Sequence, residues 1–258
     1  MTNLVFYQNA SMVERSEIDM LVDRLTIMKE REGNPMGVEI KEFGDAVAFS
    51  VKNIPGPSFN TIKGVSDNNV EDIDAMLDFY TCRGIPARFE ITPIQPTTEF
   101  LRALSNKGYF QCGFHTSLYR TFDIGRSPND EQQPSLHIQE MSKDDFSLFG
   151  EIYTKGFGMP PFIKEHVTEN NKILLNNGKW TFYLASVKGE PAGVGALFVH
   201  NGVGILAAST TVPGLRNKGV QTALIKTRLE KASELNCSFI VGQAAYGMSA
   251  TKIWNEQG

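Results

Sequence analysis

The stretch that decides the fold is GVGILAAST (202–210), which runs into TTVPGLRNKGVQTALIKTRLEKA (210–232). The first part is apolar with small polar interruptions and reads as a buried strand, which Pro213 and Gly214 end. From Val220 the apolar side falls on Val220, Ala223, Leu224 and Thr227, the i, i+3, i+4, i+7 face of a helix. Arg216-Asn217-Lys218-Gly219 therefore occupies the passage from a strand to a helix N-terminus. The first turn of a helix carries unpaired N–H groups and the positive end of its dipole, which suits an anion such as a phosphate. Gly219 lacks the Cβ that would hold a phosphate off the backbone, and Arg216 and Lys218 add positive charge. A basic loop that merely ends a strand is the plainer reading, and this stretch alone leaves both open.

Composition narrows the classes around that passage. The chain has 258 residues, 41% hydrophobic and 21% charged, the mixture of a soluble globular protein of one large or two ordinary domains. A net charge of −4 argues against holding nucleic acid or an anionic membrane by bulk electrostatics. No apolar run has spanning length, and MTNLVFYQNASM has no basic region ahead of an apolar core, so neither a membrane span nor a signal peptide is expected. Cys82, Cys112 and Cys237 are odd in number, far apart and without a CxxC. This pattern predicts buried thiols in a reducing, cytoplasmic setting. His115, His137, His166 and His200 stand singly, so no metal site is expected.

Laying the chain on itself at an offset of 150 residues brings like elements together. PARFEITP (86–93) falls on NCSFIVGQ (236–243), and TEFLRALSNKGY (98–109) on MSATKIWNEQG (248–258). VAFSVKN (47–53) falls on LFVHNGV (197–203), Gly64 on Gly214, and Val70 on Val220. The expectation is a duplication: a first domain over 1–123, a polar linker over 124–134, and a second domain over 135–258. Where the second half has Arg216 to Gln221, the first has Ser66-Asp67-Asn68-Asn69-Val70-Glu71. Its next helix, VEDIDAMLDFY, places Glu71, Asp72 and Asp74 at the start. Those carboxylates satisfy the helix dipole and repel a phosphate. The same position is thus an anion site in one half and a hostile one in the other.

VPGLRNKGVQTALI (212–225) resembles motif A of the GNAT family of N-acetyltransferases, Arg/Gln-x-x-Gly-x-Gly/Ala at a strand-to-helix junction. The similarity covers about 135–258 and extends to the first half only as a degenerate copy. The resemblance implies an α/β (α+β) fold in two GNAT-like domains, each a mixed, mostly antiparallel twisted sheet flanked by helices. It implies a fourth and a fifth strand that splay apart to admit acetyl-CoA. Arg216, Asn217, Lys218, Gly219, Val220, Gln221 and Thr222 would then wrap the pyrophosphate, mostly through backbone N–H groups. Ala208, Ser209, Thr210, Thr211 and Val212 would bond the pantetheine arm. Two positions depart from the pattern: Gln221 stands where Gly or Ala is usual, and Trp254 where a tyrosine often acts as general acid. Tyr246 is the nearest other candidate acid.

The implied activity is transfer of an acetyl group from acetyl-CoA to the amine of a small molecule, by direct attack in a ternary complex. Such a reaction needs donors for the developing oxyanion. The backbone N–H of Thr211 or Val212 is the candidate donor. Glu151, Glu165 and His166 lie where the family builds its acceptor-side wall, with Glu151 the candidate base; each also reads as a solvated helix residue, and the expectation is deprotonation through water without one dominant base. In GFGMPPFIKEHV (156–167), Phe157, Met159 and Phe162 are candidate wall residues for an acceptor. The alternative is a non-catalytic CoA-binding or sensor protein, favoured by Gln221, Trp254 and the absence of a strand carboxylate. Monomer and homodimer both fit. Finally, the second half stops at Gly258 without a closing strand, and an open sheet edge is a liability. The first half or another protomer is expected to cover it, and the strand read at 109–122 is the natural candidate.

Overall fold

A computed structural model of the chain describes residues 2–54, 56–94, 98–121 and 136–245. It divides into two units, Met1–Gly113 and Phe114–Gly258.

In the first unit, helix α1 (Thr2–Lys29) buries Ile18, Leu21, Leu25 and Met28, a helically spaced stripe. Strands β1 (Val38–Phe43), β2 (Ala46–Val51) and β3 (Thr61–Lys63) follow, then helices α2 (Ile73–Thr81) and α3 (Thr98–Asn106). The sheet runs β1-β2-β3 with antiparallel neighbours, and β2 is buried along its whole length. The parallel component expected from the sequence is a single rung, Ile62↔Phe89, so PARFEITP forms one bridge rather than a strand. The core joins Phe43, Ile62, Met76, Phe79, Tyr80, Phe100 and Leu104. Tyr80 lies within it with its hydroxyl 2.7 Å from the Phe49 carbonyl and 2.9 Å from that of Thr61.

The second unit holds one six-stranded sheet in the order β4-β9-β8-β7-β6-β5. Its strands are β4 (His115–Thr121), β5 (Leu136–Glu140), β6 (Trp180–Val187), β7 (Glu190–His200), β8 (Val203–Thr211) and β9 (Phe239–Ala245). Helices α4 (Phe146–Phe157), α5 (Lys164–Lys172) and α6 (Val220–Glu234) accompany them. Only β8 and β9 are parallel, as their connection through α6 requires. β7 turns into β8 at Asn201-Gly202, both at positive φ, the hairpin that this pair favours. LFVHNGV is thus a strand end, a turn and a strand start rather than one strand. Alternation along β6 separates two cores: Tyr183, Ala185 and Val187 pack with Leu224, Ile225 and Leu229 of α6, while Phe182 meets Phe146 and Phe149 of α4.

β4 supplies the covering strand. It pairs antiparallel with β9 from His115↔Ala245 to Thr121↔Phe239, and Tyr119 stacks on Phe239 at 5.2 Å. By its contacts β4 belongs to the second unit, whereas the sequence reading kept it in a first domain ending at 123. The segment 124–134, read as a linker, lies outside the described residues. Of the thiols expected to be buried, only Cys237 is; Cys82 and Cys112 are exposed.

Candidate functional site

β8 pairs with β7 through Ala207↔Ala196 and then Thr210↔Val194, so Ala208 and Ser209 stand opposite the single residue Gly195. This is a β-bulge, and Ala208 takes φ +48° to make it. On the other side, β8 and β9 pair only from Val203↔Phe239 to Leu206↔Gly242. Beyond that rung β8 runs on to Thr211, while β9 stays with β4. The two strands form a fork whose inner end is the bulge.

After β8, Val212 enters a 3-10 turn over Pro213–Leu215, and the chain passes to α6 through Asn217 and Gly219, both left-handed (φ 61° and 78°). Gly219 is the N-cap of α6 and gives no side-chain cap bond. The N–H groups of Val220, Gln221 and Thr222 in the first turn therefore have no carbonyl of their own helix to meet. No acidic residue stands in that turn, and Lys218 beside it is exposed.

Side chains within the motif take other duties than the sequence suggests. Arg216 donates from Nη2 to the Gly156 carbonyl (2.9 Å) and from Nε to the Thr211 carbonyl (3.3 Å), tying the end of α4 to the end of β8. Gln221 lies against Ser209, its amide nitrogen 2.9 Å and its amide oxygen 3.1 Å from Ser209 Oγ. Its length is thereby held against the bulge. The Val212 N–H donates to the Ala192 carbonyl at 2.9 Å, which corrects its assignment as an oxyanion donor. Thr211 is in ladder register with Gly193.

Sequence reasoning missed Arg228. It is 1% exposed, one of the largest buried side chains of the chain, and it sits under the bulge. Its Nε donates to the Leu224 carbonyl (2.8 Å), Nη1 to those of Ala196 (3.2 Å) and Ala207 (3.3 Å), and Nη2 to Ser209 Oγ (3.1 Å). Burial lowers its pKa to about 9, which still leaves the cation at pH 7. Gly195 makes room for it: a Cβ there would lie 3.0 Å from the guanidinium carbon. The signal was present as AGVGAL (192–197), whose two glycines admit α6 to the sheet, Gly193 against Val220 and Gly195 against Arg228.

α4 closes on β8 just as tightly, since a Cβ on Gly156 would come 2.3 Å from Thr210 Oγ1. Glu151 on α4 bonds Lys155 (2.7 Å) and has Lys164 at 3.8 Å. The Lys155 hydrogen bond and charge hold its carboxyl below the usual range, which makes it a poor proton acceptor. Glu165 and His166 are exposed on α5. Of the wall residues, Phe157 is 49% and Phe162 80% exposed, and Phe157 packs on Tyr153 with ring centres 4.6 Å apart. Tyr246 and Trp254 lie outside the described residues. Among the described residues no group of His, Cys, Asp or Glu could hold a metal, and no helix is long and apolar enough to cross a membrane.

Residues 143–256 match the sequence model of the Acetyltransferase (GNAT) family. No curated protein matches the chain in sequence. Among solved structures, a conserved protein of unknown function from Staphylococcus epidermidis aligns over 86% of this chain and 90% of its own, at 13% identity and a TM-score of 0.61. A GCN5-related N-acetyltransferase from Kribbella flavida aligns over 86% of each chain, at 11% identity and a TM-score of 0.56. A protein from Pyrococcus horikoshii shares 20% identity, but the match covers only 43% of this chain and 39% of that one, with a TM-score of 0.37. Residues 143–256 thus carry the sequence pattern of the GNAT family, and the fold of the chain is similar to that of a GCN5-related N-acetyltransferase.

Proposed function

We propose that the second unit binds acetyl-CoA and directs its acetyl group to the amine of a small molecule by direct attack, with both substrates bound. The observation that carries this reading is the fork: β8 parts from β9 after Leu206 and Gly242, and leads directly to a helix that starts uncapped at left-handed Gly219. Acetyl-CoA when bound supplies the activated acyl group; the chain supplies placement and charge. The first-turn N–H groups of Val220, Gln221 and Thr222 meet the pyrophosphate, with Asn217, Lys218 and Gly219 beside it. Ser209, Thr210 and Thr211 bond the pantetheine arm along β8. The bulge residues Ala208 and Ser209, rather than Val212, offer backbone donors to the developing oxyanion. Arg216 acts by fixing α4 against β8.

A second reading, a CoA-binding protein without turnover, is favoured by Glu151, whose two lysine neighbours keep it an unreactive anion. We also read the first unit as a degenerate copy. Its β3, 3-10 turn at Asp67–Asn69, α2 and Phe89 rung repeat the order of β8, Pro213–Leu215, α6 and β9. Titration calorimetry with acetyl-CoA on the wild type and on Gly219→Glu tests the main reading. Saturable binding that the carboxylate abolishes supports it, and absence of binding to the wild type overturns it. An amine screen for acetyl transfer then separates enzyme from binder.

A further inference from the structure

The motif leaves one group unexplained: a buried guanidinium with no carboxylate among its partners in the described residues. Arg228 meets three carbonyls and a hydroxyl, dipoles that satisfy its N–H groups without cancelling its charge. Of its five N–H donors these bonds use four, which leaves one on Nη2. Among the described residues, no carboxylate of the elements around it bonds the guanidinium, Glu230 and Glu234 of its own helix included. β8, VGILAASTT, carries no ionisable side chain, and β7 has only Glu190 and His200 at its ends. On β6, Tyr183 is the one titratable group whose charge acts on Arg228, and burial holds its phenol neutral by pushing its pKa far up. Glu140 of β5 and Glu234 at the end of α6 act on Tyr183 and push it the same way.

The cation's place matters as much as its isolation. Ala207 and Ser209, which it bonds, directly follow Leu206, the last rung before the fork opens. A ligand held by its phosphates at the start of α6 and laid along β8 brings its opposite terminus to that inner end. In CoA that terminus is the sulfur. Resting on the reading above, we propose that Arg228 is a positioning residue for CoA sulfur: it holds the bulge in shape, and its uncompensated charge favours the thiolate over the thiol there. Transfer of the acyl group leaves the C–S electron pair on sulfur, so a site that favours thiolate also favours departure of CoA from the acyl carbon.

The test needs no acceptor. The affinities of CoA and of S-methyl-CoA, whose sulfur cannot ionise, are measured by calorimetry from about pH 6.5 to about pH 9. Both carry the same phosphates, so their ratio isolates the sulfur. In the wild type the preference for CoA should grow about fivefold up to pH ~8.5, as for a thiol whose pKa falls by about one unit, and level off as Arg228 itself titrates at about 9. A flat ratio in the wild type overturns the proposal while leaving the CoA reading intact. Failure of both ligands to bind the wild type overturns that reading instead. In Arg228→Gln the growth should vanish while S-methyl-CoA still binds; equal growth in that variant also overturns the proposal. If Arg228→Gln binds neither ligand, Arg228→Lys decides: a restored pH-dependent preference supports the charge, and binding of both ligands without one refutes it.

Discussion

Within β8, Ala208 alone takes a positive φ, at +48°, in a strand otherwise built of ordinary β geometry. An L-residue held left-handed costs about 1–2 kcal/mol, and such strain collects where a site needs a particular backbone shape. Replacing Ala208 with glycine removes that cost but adds about 0.5–1 kcal/mol of unfolded-chain freedom. Ala208→Gly should therefore leave stability unchanged or raise it, by up to about 1.5 kcal/mol. Ala207→Gly, one residue earlier and without a positive φ, should lose about 0.5–1 kcal/mol. Ala208→Val should lose more than either, because a β-branched side chain fits the left-handed region worst. Urea unfolding of the three variants checks the order; equal losses at 207 and 208 would mean that the bulge carries no strain. Here the sequence was half legible. Gly219 was legible as a position that leaves the backbone open at the helix start, but an alanine in AAST gives no sign that it will leave the β region.

At the scale of elements, helix and strand positions in the second unit were readable because periodicity and burial agree there. The helix expected from Val220 starts at Val220, and GVGILAAST becomes β8. Side-chain destinations were not, since Arg216, Gln221 and Arg228 answer to carbonyls and hydroxyls distant in sequence. In the first unit, α1 docks a charged cluster that no local pattern foretold. Lys63 at the end of β3 bonds Glu17 of α1 at 3.2 Å and also Glu90, with buried Glu14 beside them. Burial pushes the Glu14 carboxyl up from its ordinary 4.5, a rise that the Gly64 backbone and Lys63 only partly offset. A carboxyl raised in the folded state contributes fully below its unfolded value, and that contribution is lost as pH rises through the folded value. As pH rises above the ordinary carboxyl value, Glu14 thus weakens the unit. Glu14→Gln should stabilise the protein at pH 7, with the gain shrinking as pH falls toward the ordinary 4.5. Unfolding midpoints across that range measure it; a gain that does not change with pH would point to packing rather than charge.

At the scale of the whole molecule, the sheet of the second unit is finished by a strand from outside the residues that match the family model. The family match begins at 143, yet β4 spans His115–Thr121 and pairs with the full length of β9. The need for it was legible in CSFIVGQ itself, an apolar run whose edge, left bare, invites another chain. Its owner was not, since a strand that follows the first half in sequence gives no local sign of joining the second. Seven registered pairs and the Tyr119–Phe239 stack now depend on that strand. A chain beginning at Phe114 keeps them, whereas one beginning at Leu136 exposes β9 along Phe239, Val241 and their backbone groups. The longer fragment should sediment as a single species and unfold cooperatively. The shorter should self-associate, melt several degrees lower, or both, because about 1.4–7 kcal/mol of strand pairing is absent, at about 0.2–1 kcal/mol for each of the seven cross-strand pairs. Analytical ultracentrifugation and thermal unfolding of the two fragments decide the matter. If the shorter one is equally monomeric and equally stable, β4 is an accessory to this sheet rather than its closing strand.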